Sequence, residues 1–374
     1  MGSLDYSSYS YYYVNEDNID LFIYSEADKI LIKYIMPILF FIGVSGNLIV
    51  IVMILNIKSL HSPVNYYLTS LAIADFLFLF FSMTRRWVLI TNSPVMANNY
   101  LNLGEAGKAV CITFQFIIDL SATVSCVTIL LIAVERYLAI CHPIKFKSIN
   151  TKTNVLRICI ASWVVICIPV FLYNFVTETT KVGRFKWNLD TDAFQVPNQT
   201  VYCTDRYEGH PFAFLRIVDE FIVLLEIPII IVLYVLAIRR LNSNPHHILG
   251  KIQMKKRKKV TQMLIITTLV YIICVFPINT DFVFNHFNVY IFKGDSSSLF
   301  HYISVILLYI NSAVNPIIYF ALRKDFRVSI LHLSCTNRKE SSSSRHINGS
   351  GNPKLLKQVQ NTLEEEIDQT TEPL

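Results

Sequence analysis

Seven apolar stretches, each long enough to cross a lipid bilayer, constrain this chain more than any other feature. They cover residues 33–56, 65–90, 107–140, 154–176, 212–239, 258–288 and 299–322. An α-helix rises about 1.5 Å per residue, so about 20 residues cross a hydrocarbon core about 30 Å thick. Lipid offers backbone N–H and C=O groups no partner, so each stretch must bond within itself and is predicted to be a helix. The fold class that follows is an all-α membrane protein, a seven-transmembrane helix bundle. Composition agrees, with 53% of the 374 residues hydrophobic and 16% charged, against roughly 25% charged in soluble domains. Pro37, Pro169, Pro228, Pro277 and Pro316 lie inside the stretches, where membrane helices absorb them as kinks. No internal repeat is visible, which disfavours a transporter built from inverted halves.

The net charge of +6 does not point to nucleic acid, because the basic residues gather at helix ends, as a topology signal does. Arg239, Arg240, Lys251 and the run Lys255-Lys256-Arg257-Lys258-Lys259 join the fifth and sixth stretches. Lys145, Lys147 and Lys152 follow the third, and Arg323, Lys324 and Arg327 follow the seventh. These connections are expected in the cytosol, with the N-terminus outside a multi-pass plasma-membrane protein. The parts are then an extracellular tail (1–32), a seven-helix domain with a membrane-surface helix (33–335) and a disordered cytoplasmic tail (336–374). The first thirty residues show no cleavable signal pattern, so the first helix is expected to direct insertion. Tyr9-Ser10-Tyr11-Tyr12-Tyr13, beside acidic residues, reads as a disordered solvated tail; tyrosine sulfation for a basic ligand is the alternative. Phe326, Ile330 and Leu333 are spaced i, i+4, i+7 on a basic segment, a short amphipathic eighth helix that would lie on membrane lipid. Cys335 just beyond it suits palmitoylation.

The third stretch reads as a rod with a cysteine at one face and an arginine at the other. Cys111 and Arg136 are 25 residues apart, about 37 Å of helix. On the topology above, Cys111 faces the oxidising side, where Cys203 of the long loop 177–211 is the only other cysteine. A Cys111–Cys203 disulfide is therefore expected. Five others, Cys126, Cys141, Cys159, Cys167 and Cys274, lie in or at the edge of apolar segments as packing residues. Asn198-Gln199-Thr200 in the same loop is a glycosylation acceptor at Asn198. Arg184–Trp187 and Thr200–Cys203 alternate weakly, as a hairpin lid would.

Polar residues at membrane depth are costly, so each is a functional candidate. Asp75, Ser125, Asn311, Ser312 and Asn315 fall on three of the helices and would converge in a bundle. Their carboxylate, hydroxyl and amide oxygens suit a hard monovalent cation, Na⁺ at Asp75 and Ser125; the alternative is a hydrogen-bond network holding water and no ion.

These residues also form a pattern. Gly46-Asn47, Leu71-Ala72-Ile73-Ala74-Asp75, Cys111 with Glu135-Arg136-Tyr137, and Trp163 appear in order on the first four helices. Pro228, Cys274 with Pro277, and Asn315-Pro316-Ile317-Ile318-Tyr319 follow on the last three. Over about residues 33–335 the chain resembles the rhodopsin-like, class A, G-protein-coupled receptors. The resemblance implies a coupling switch of Glu135, Arg136, Tyr137, Asn315, Pro316 and Tyr319. In it Arg136 is held by Glu135 when inactive and meets a heterotrimeric G protein when active. Receptor kinases and arrestin are further implied partners, with phosphorylation sites offered by the C-terminal tail.

Departures from the family pattern sharpen the expectations. Arg257, Lys258 and Lys259 stand where many relatives add an acid at the base of the sixth helix, so basal signalling is expected. Val275 and Phe276 follow Cys274 in place of the usual tryptophan. Leu236, with Tyr234 nearby, replaces a fifth-helix tyrosine, and Gly104 a loop tryptophan.

The seventh helix lacks a lysine for a retinal Schiff base, and Ile118 stands where amine receptors place aspartate. A large polar external face, the disulfide-pinned long loop and mixed charges at the helix mouths suit an extended peptide ligand, with contacts from Arg85, Arg86, Trp87, Gln115, Asp119, Asp219, Glu220, Glu226, Asn279, Phe282 and a deeper Tyr309. Against these, Arg85 and Arg86 could snorkel to headgroups, and Trp87 could be an interfacial anchor. The stretch around Ser121–Ser148 is similar to neuropeptide receptors of the orexin and growth-hormone-secretagogue type. The soluble segments show no nucleophile–base pair, metal cluster or phosphate loop, so an enzyme is not expected. Two alternatives stay open: an atypical seven-helix receptor binding ligand or lipid without G-protein coupling, and a transporter or channel.

Overall fold

In the computed structural model the described residues are 9–14, 30–92, 107–187, 199–205, 214–243, 251–287 and 295–330. Seven long helices carry the chain back and forth: α1 (Met36–Asn56), α2 (Pro63–Asn92), α3 (Gly107–Cys141), α4 (Lys152–Thr177), α5 (Phe214–Ser243), α6 (Lys251–His286) and α7 (Asp295–Leu322). All seven are long and apolar enough to cross a membrane. A short helix, Pro143–Ile149, turns the chain from α3 to α4. Residues 324–330 form a further helix, α8, after a break at Arg323. Helix α6 starts seven residues before its apolar stretch does. Its Lys- and Gln-containing first turns are good helix formers that need no lipid, and hydropathy does not register them. Pro37 falls in the first turn of α1, fed by a π-helical turn at Leu31–Ile35; there its missing N–H costs little. The other four prolines lie inside helices, as expected.

Apolar side chains point both ways, as a bundle in lipid requires. On α4, Val165 is 67% exposed and Ile168 58%, a face that water would penalise and hydrocarbon does not. Inward, Val50, Met53, Leu68, Leu71, Ile129 and Tyr319 fill one core, and Met36, Phe40, Phe78, Leu79, Met83 and Tyr309 fill a second. Two glycines let α1 approach its neighbours. A Cβ at Gly43 would lie 2.3 Å from Leu79 Cδ1, and one at Gly46 would lie 2.9 Å from Pro316 Cβ. Trp163, expected on α4, donates its indole N–H to Ser70 Oγ at 3.0 Å and ties α4 to α2.

A three-stranded sheet lies outside the helical bundle. Strand β2 (Glu178–Trp187) follows α4 directly and pairs antiparallel with β3 (Gln199–Asp205). The hairpin pairs further toward α4 than the sequence suggested, from Glu178↔Asp205 to Arg184↔Gln199. Strand β1 (Tyr9–Val14) pairs parallel with Val182–Trp187 along the other edge of β2. That is a departure from the expectation of a disordered tail, because the exposed edge of β2 supplies the backbone partners the tail lacks alone. Asn198, Cys335, Leu333, Gly104, the 336–374 tail and the side chains of Arg257, Lys258 and Lys259 lie outside the described residues.

Candidate functional site

Helix α3 carries the chemistry at both of its ends. At one end Arg136 donates from Nε and Nη2 to the two carboxylate oxygens of Glu135, the Nη2–Oε1 bond being 2.5 Å. Both side chains are shut away, at 9% and 4% exposure. A guanidinium fork on a carboxylate is a strong, shape-specific pair. Asn150, just past the short helix, adds its amide 3.5 Å from Glu135 Oε1. Tyr137 turns the other way, its ring edge-on to His142 at 5.6 Å.

Tyr319 on α7 lies 1% exposed in the core at this end. Its hydroxyl has no hydrogen-bond partner among the described residues, and its ring is 6.0 Å from that of Phe326 on α8. Sequence reasoning missed what anchors α8. Arg323 donates to Asn65 Oδ1 on α2 at 2.7 Å, pairs with Asp325, and lies 4.4 Å over the Phe326 ring. No local periodicity reveals a contact between residues 258 positions apart. Of the residues that depart from the family pattern, Val275 is buried while Phe276 and Leu236 are exposed. Tyr234, not Leu236, turns inward and receives the Thr268 hydroxyl at 3.3 Å.

Midway along, Asp75 is completely buried. Ser125 Oγ donates to its Oδ1 at 3.1 Å and Asn315 Nδ2 to its Oδ2 at 2.7 Å, joining α2, α3 and α7. Ser312 faces the same carboxylate. The Ser312 carbonyl accepts Asn47 Nδ2 at 2.9 Å, which brings in α1. Asn47 Oδ1 is buried without a hydrogen-bond partner among the described residues. Asn311 is buried one residue before Ser312; among the described residues it makes no hydrogen bond to Asp75. The oxygens a monovalent cation could use here are those of the Asp75 carboxylate and the Ser125 hydroxyl, while Asn315 presents its Nδ2 to Asp75; the carboxylate and hydroxyl fit a hard monovalent cation.

At the sheet end a continuous belt crosses five helices. Arg85 on α2 donates to Gln115 Oε1 on α3, and Gln115 Nε2 donates to Asp119 Oδ1 at 2.7 Å. The other Asp119 oxygen accepts the Tyr173 hydroxyl and Asn174 Nδ2, the latter at 3.2 Å, both from α4. Arg216 on α5 donates to the Tyr173 hydroxyl at 3.4 Å and sits 5.1 Å over the Phe282 ring on α6. Below the belt, Thr123 Oγ1 donates to Asp219 Oδ2 at 3.0 Å, and the buried Glu226 accepts the Tyr271 hydroxyl at 3.5 Å. Tyr309 is buried deeper, its hydroxyl accepting Ser82 Oγ at 2.5 Å.

Several sequence candidates take other places. The Trp87 ring packs edge-on against Phe40 of α1 at 5.2 Å, outside the belt. Asn279 returns its amide to the Val275 carbonyl on its own helix at 2.8 Å. Arg86 and Glu220 are half-buried. Tyr173, Asn174, Thr123 and Arg216 were not legible as site residues. Each sits in an otherwise apolar or mixed helix, and only packing of α4 and α5 on α3 brings Tyr173 and Asn174 to Asp119, Thr123 to Asp219 and Arg216 to the Tyr173 hydroxyl.

Cys111, at the sheet end of α3, is disulfide-bonded. Cys126, Cys141, Cys159, Cys167 and Cys274 are free. Strand β3 carries the backbone of Cys203 opposite Thr180.

The family described as 7 transmembrane receptor (rhodopsin family) matches residues 46–319. The chain belongs to that family and is a class A G-protein-coupled receptor. Its relatives include neuropeptide receptors. Neuromedin-U receptor 2 of Homo sapiens is 30% identical over 311 residues, 81% of this chain and 71% of that one. The allatostatin-A receptor of Bombyx mori is 27% identical, covering 80% of this chain and 79% of its own. Somatostatin receptor type 2 of Mus musculus is 26% identical, over 83% and 79%.

Proposed function

We propose that this protein binds an extracellular peptide at the sheet end of the bundle and activates a heterotrimeric G protein at the Arg136 end. One observation carries the reading: α3 holds both the belt carboxylate Asp119 and the caged Arg136, 17 residues apart, about 25 Å along one rod. A ligand that redistributes the hydrogen bonds at Asp119 moves the same helix that presents Arg136. The signal is a population shift, in which the ligand binds the arrangement with Arg136 released more tightly than the caged one.

Basic connections support a cytosolic Arg136 end and an N-terminus outside the plasma membrane. On that side an oxidised cysteine and a glycosylated asparagine are chemically allowed, so Cys111 pairs with Cys203 and Asn198 carries glycan. The domain limits 1–32, 33–335 and 336–374 follow, with Cys335 palmitoylated against the inner leaflet and the C-terminal tail read by receptor kinases and arrestin. An Na⁺ ion would be held at Asp75 and Ser125, neutralising a carboxylate that no cation among the described residues balances.

The test is a neuropeptide panel applied to the purified receptor with G protein, reading agonist-stimulated GTPγS exchange. Exchange that disappears in Arg136→Ala while peptide binding persists supports the reading. Binding without exchange in the unmodified receptor would instead identify the atypical class.

A further inference from the structure

Strand β1 sits oddly in this fold. It pairs parallel with β2 from Tyr9↔Val182 to Val14↔Trp187, although the two segments are about 170 residues apart in sequence and no crossover unit joins them, as parallel neighbours normally require. In the order β1-β2-β3 it is an edge strand. Its removal leaves the antiparallel β2–β3 hairpin whole. Tyr13 at its outer end is 70% exposed, and its register partner Lys186 is exposed as well. The pairing of β1 with β2 is a main-chain ladder, and such a ladder accepts any extended segment of suitable chemistry.

We propose that the outer edge of β2 is a strand-acceptor site for an extended peptide, and that residues 9–14 are its built-in occupant, released when a ligand segment pairs in their place. The proposal rests on the peptide reading above.

The chemistry of the acceptor is written on both strands. Strand β2 carries Lys181, Arg184 and Lys186 against the single acid Glu178. Strand β1 has no charge of its own, but Asp5 precedes it and Glu16, Asp17 and Asp20 follow. The site thus takes an aromatic, acidic, extended segment. Strand β2 also begins directly after α4, four residues past Asn174, which bonds Asp119. The edge that β1 occupies starts at Val182, eight residues past Asn174 on the same continuous stretch of chain, so exchange there acts on the lid and, through β2, on the belt. Tethering through residues 15–29 gives the tail an effective concentration on the order of millimolar. A ligand displaces it only by adding contacts of its own inside the bundle.

The experiment is hydrogen–deuterium exchange on amides 182–187 of the full-length receptor in nanodiscs, comparing it with the double variant Tyr12→Pro, Tyr13→Pro. Adjacent residues of a strand aim their N–H groups to opposite edges, so one of the two prolines removes a ladder bond whichever way the strand faces. Exchange about tenfold faster in the variant is expected. A synthetic peptide of residues 5–17, added at millimolar concentration, should restore protection, and the same peptide carrying both prolines should not. Equal exchange in the two receptors, or equal protection by the two peptides, would overturn the proposal. Because the probe is the receptor's own tail, the outcome does not depend on the natural ligand. Restored protection alongside an empty peptide panel would support the acceptor edge and sink the peptide-ligand reading alone.

Discussion

The two ends of α3 bury charge in opposite ways. At the Arg136 end the pair is between sequence neighbours, Glu135 and Arg136, so closing it demands little from the other helices. At the sheet end Asp119 is satisfied by Gln115 on its own helix and by Tyr173 and Asn174 on α4, with Arg85 and Arg216 extending the belt to α2 and α5. The first arrangement is local and can open without dismantling the bundle. The second is distributed, so the helices cannot shift without renegotiating it. A receptor needs that division: one end that switches, and one that registers the arrangement of several helices at once.

The comparison can be broken by mutations placed at each end, and the largest effect is expected at the switch. Arg136→Ala should abolish stimulated GTPγS exchange while peptide binding persists, although it strands the buried Glu135 carboxylate at a cost of about 3–5 kcal/mol. Exchange that survives the substitution would show that Arg136 is not the switch and the contrast false. Asp119→Ala should cost about 3–5 kcal/mol of stability, since it strands the buried donors Tyr173 and Asn174. That is readable as a lowered unfolding temperature with peptide binding lost. An unchanged melting profile would mean the belt is not distributed.

Glu135→Gln weakens a charge-assisted bond worth about 1.5–3 kcal/mol, so basal exchange without ligand should rise about tenfold or more. Silence in a sensitive assay would show that something other than Glu135 cages Arg136. Arg323→Ala should be the mildest, about 1 kcal/mol. It releases α8 from Asn65 and is visible as faster amide exchange over residues 324–330 with signalling near normal.

Much of this was legible beforehand, and the particular residues show why. Asp75, Ser125 and Asn315 stand out because a polar group in an apolar run is conspicuous, and they do meet around one carboxylate. Glu135 and Arg136 are adjacent, so their pairing needs no tertiary information. The packing of Trp87 on Phe40 was not legible, since an aromatic near a helix end looks the same whatever it packs against. Tyr173, Asn174 and Arg216 were invisible for the converse reason: ordinary in their own helices, they acquire a role only from the rotation of α4 and α5 against α3.

Seven spans, their helical state and the polar residues at membrane depth were determined by the sequence alone, because lipid leaves the backbone one way to satisfy itself and makes every buried charge expensive. Which face of each helix turns inward, which side chains close the belt around Asp119, and the pairing of Tyr9–Val14 with the far edge of β2 were decided only by tertiary structure. Those contacts join residues tens to hundreds of positions apart, and no local pattern specifies a partner that arrives through packing.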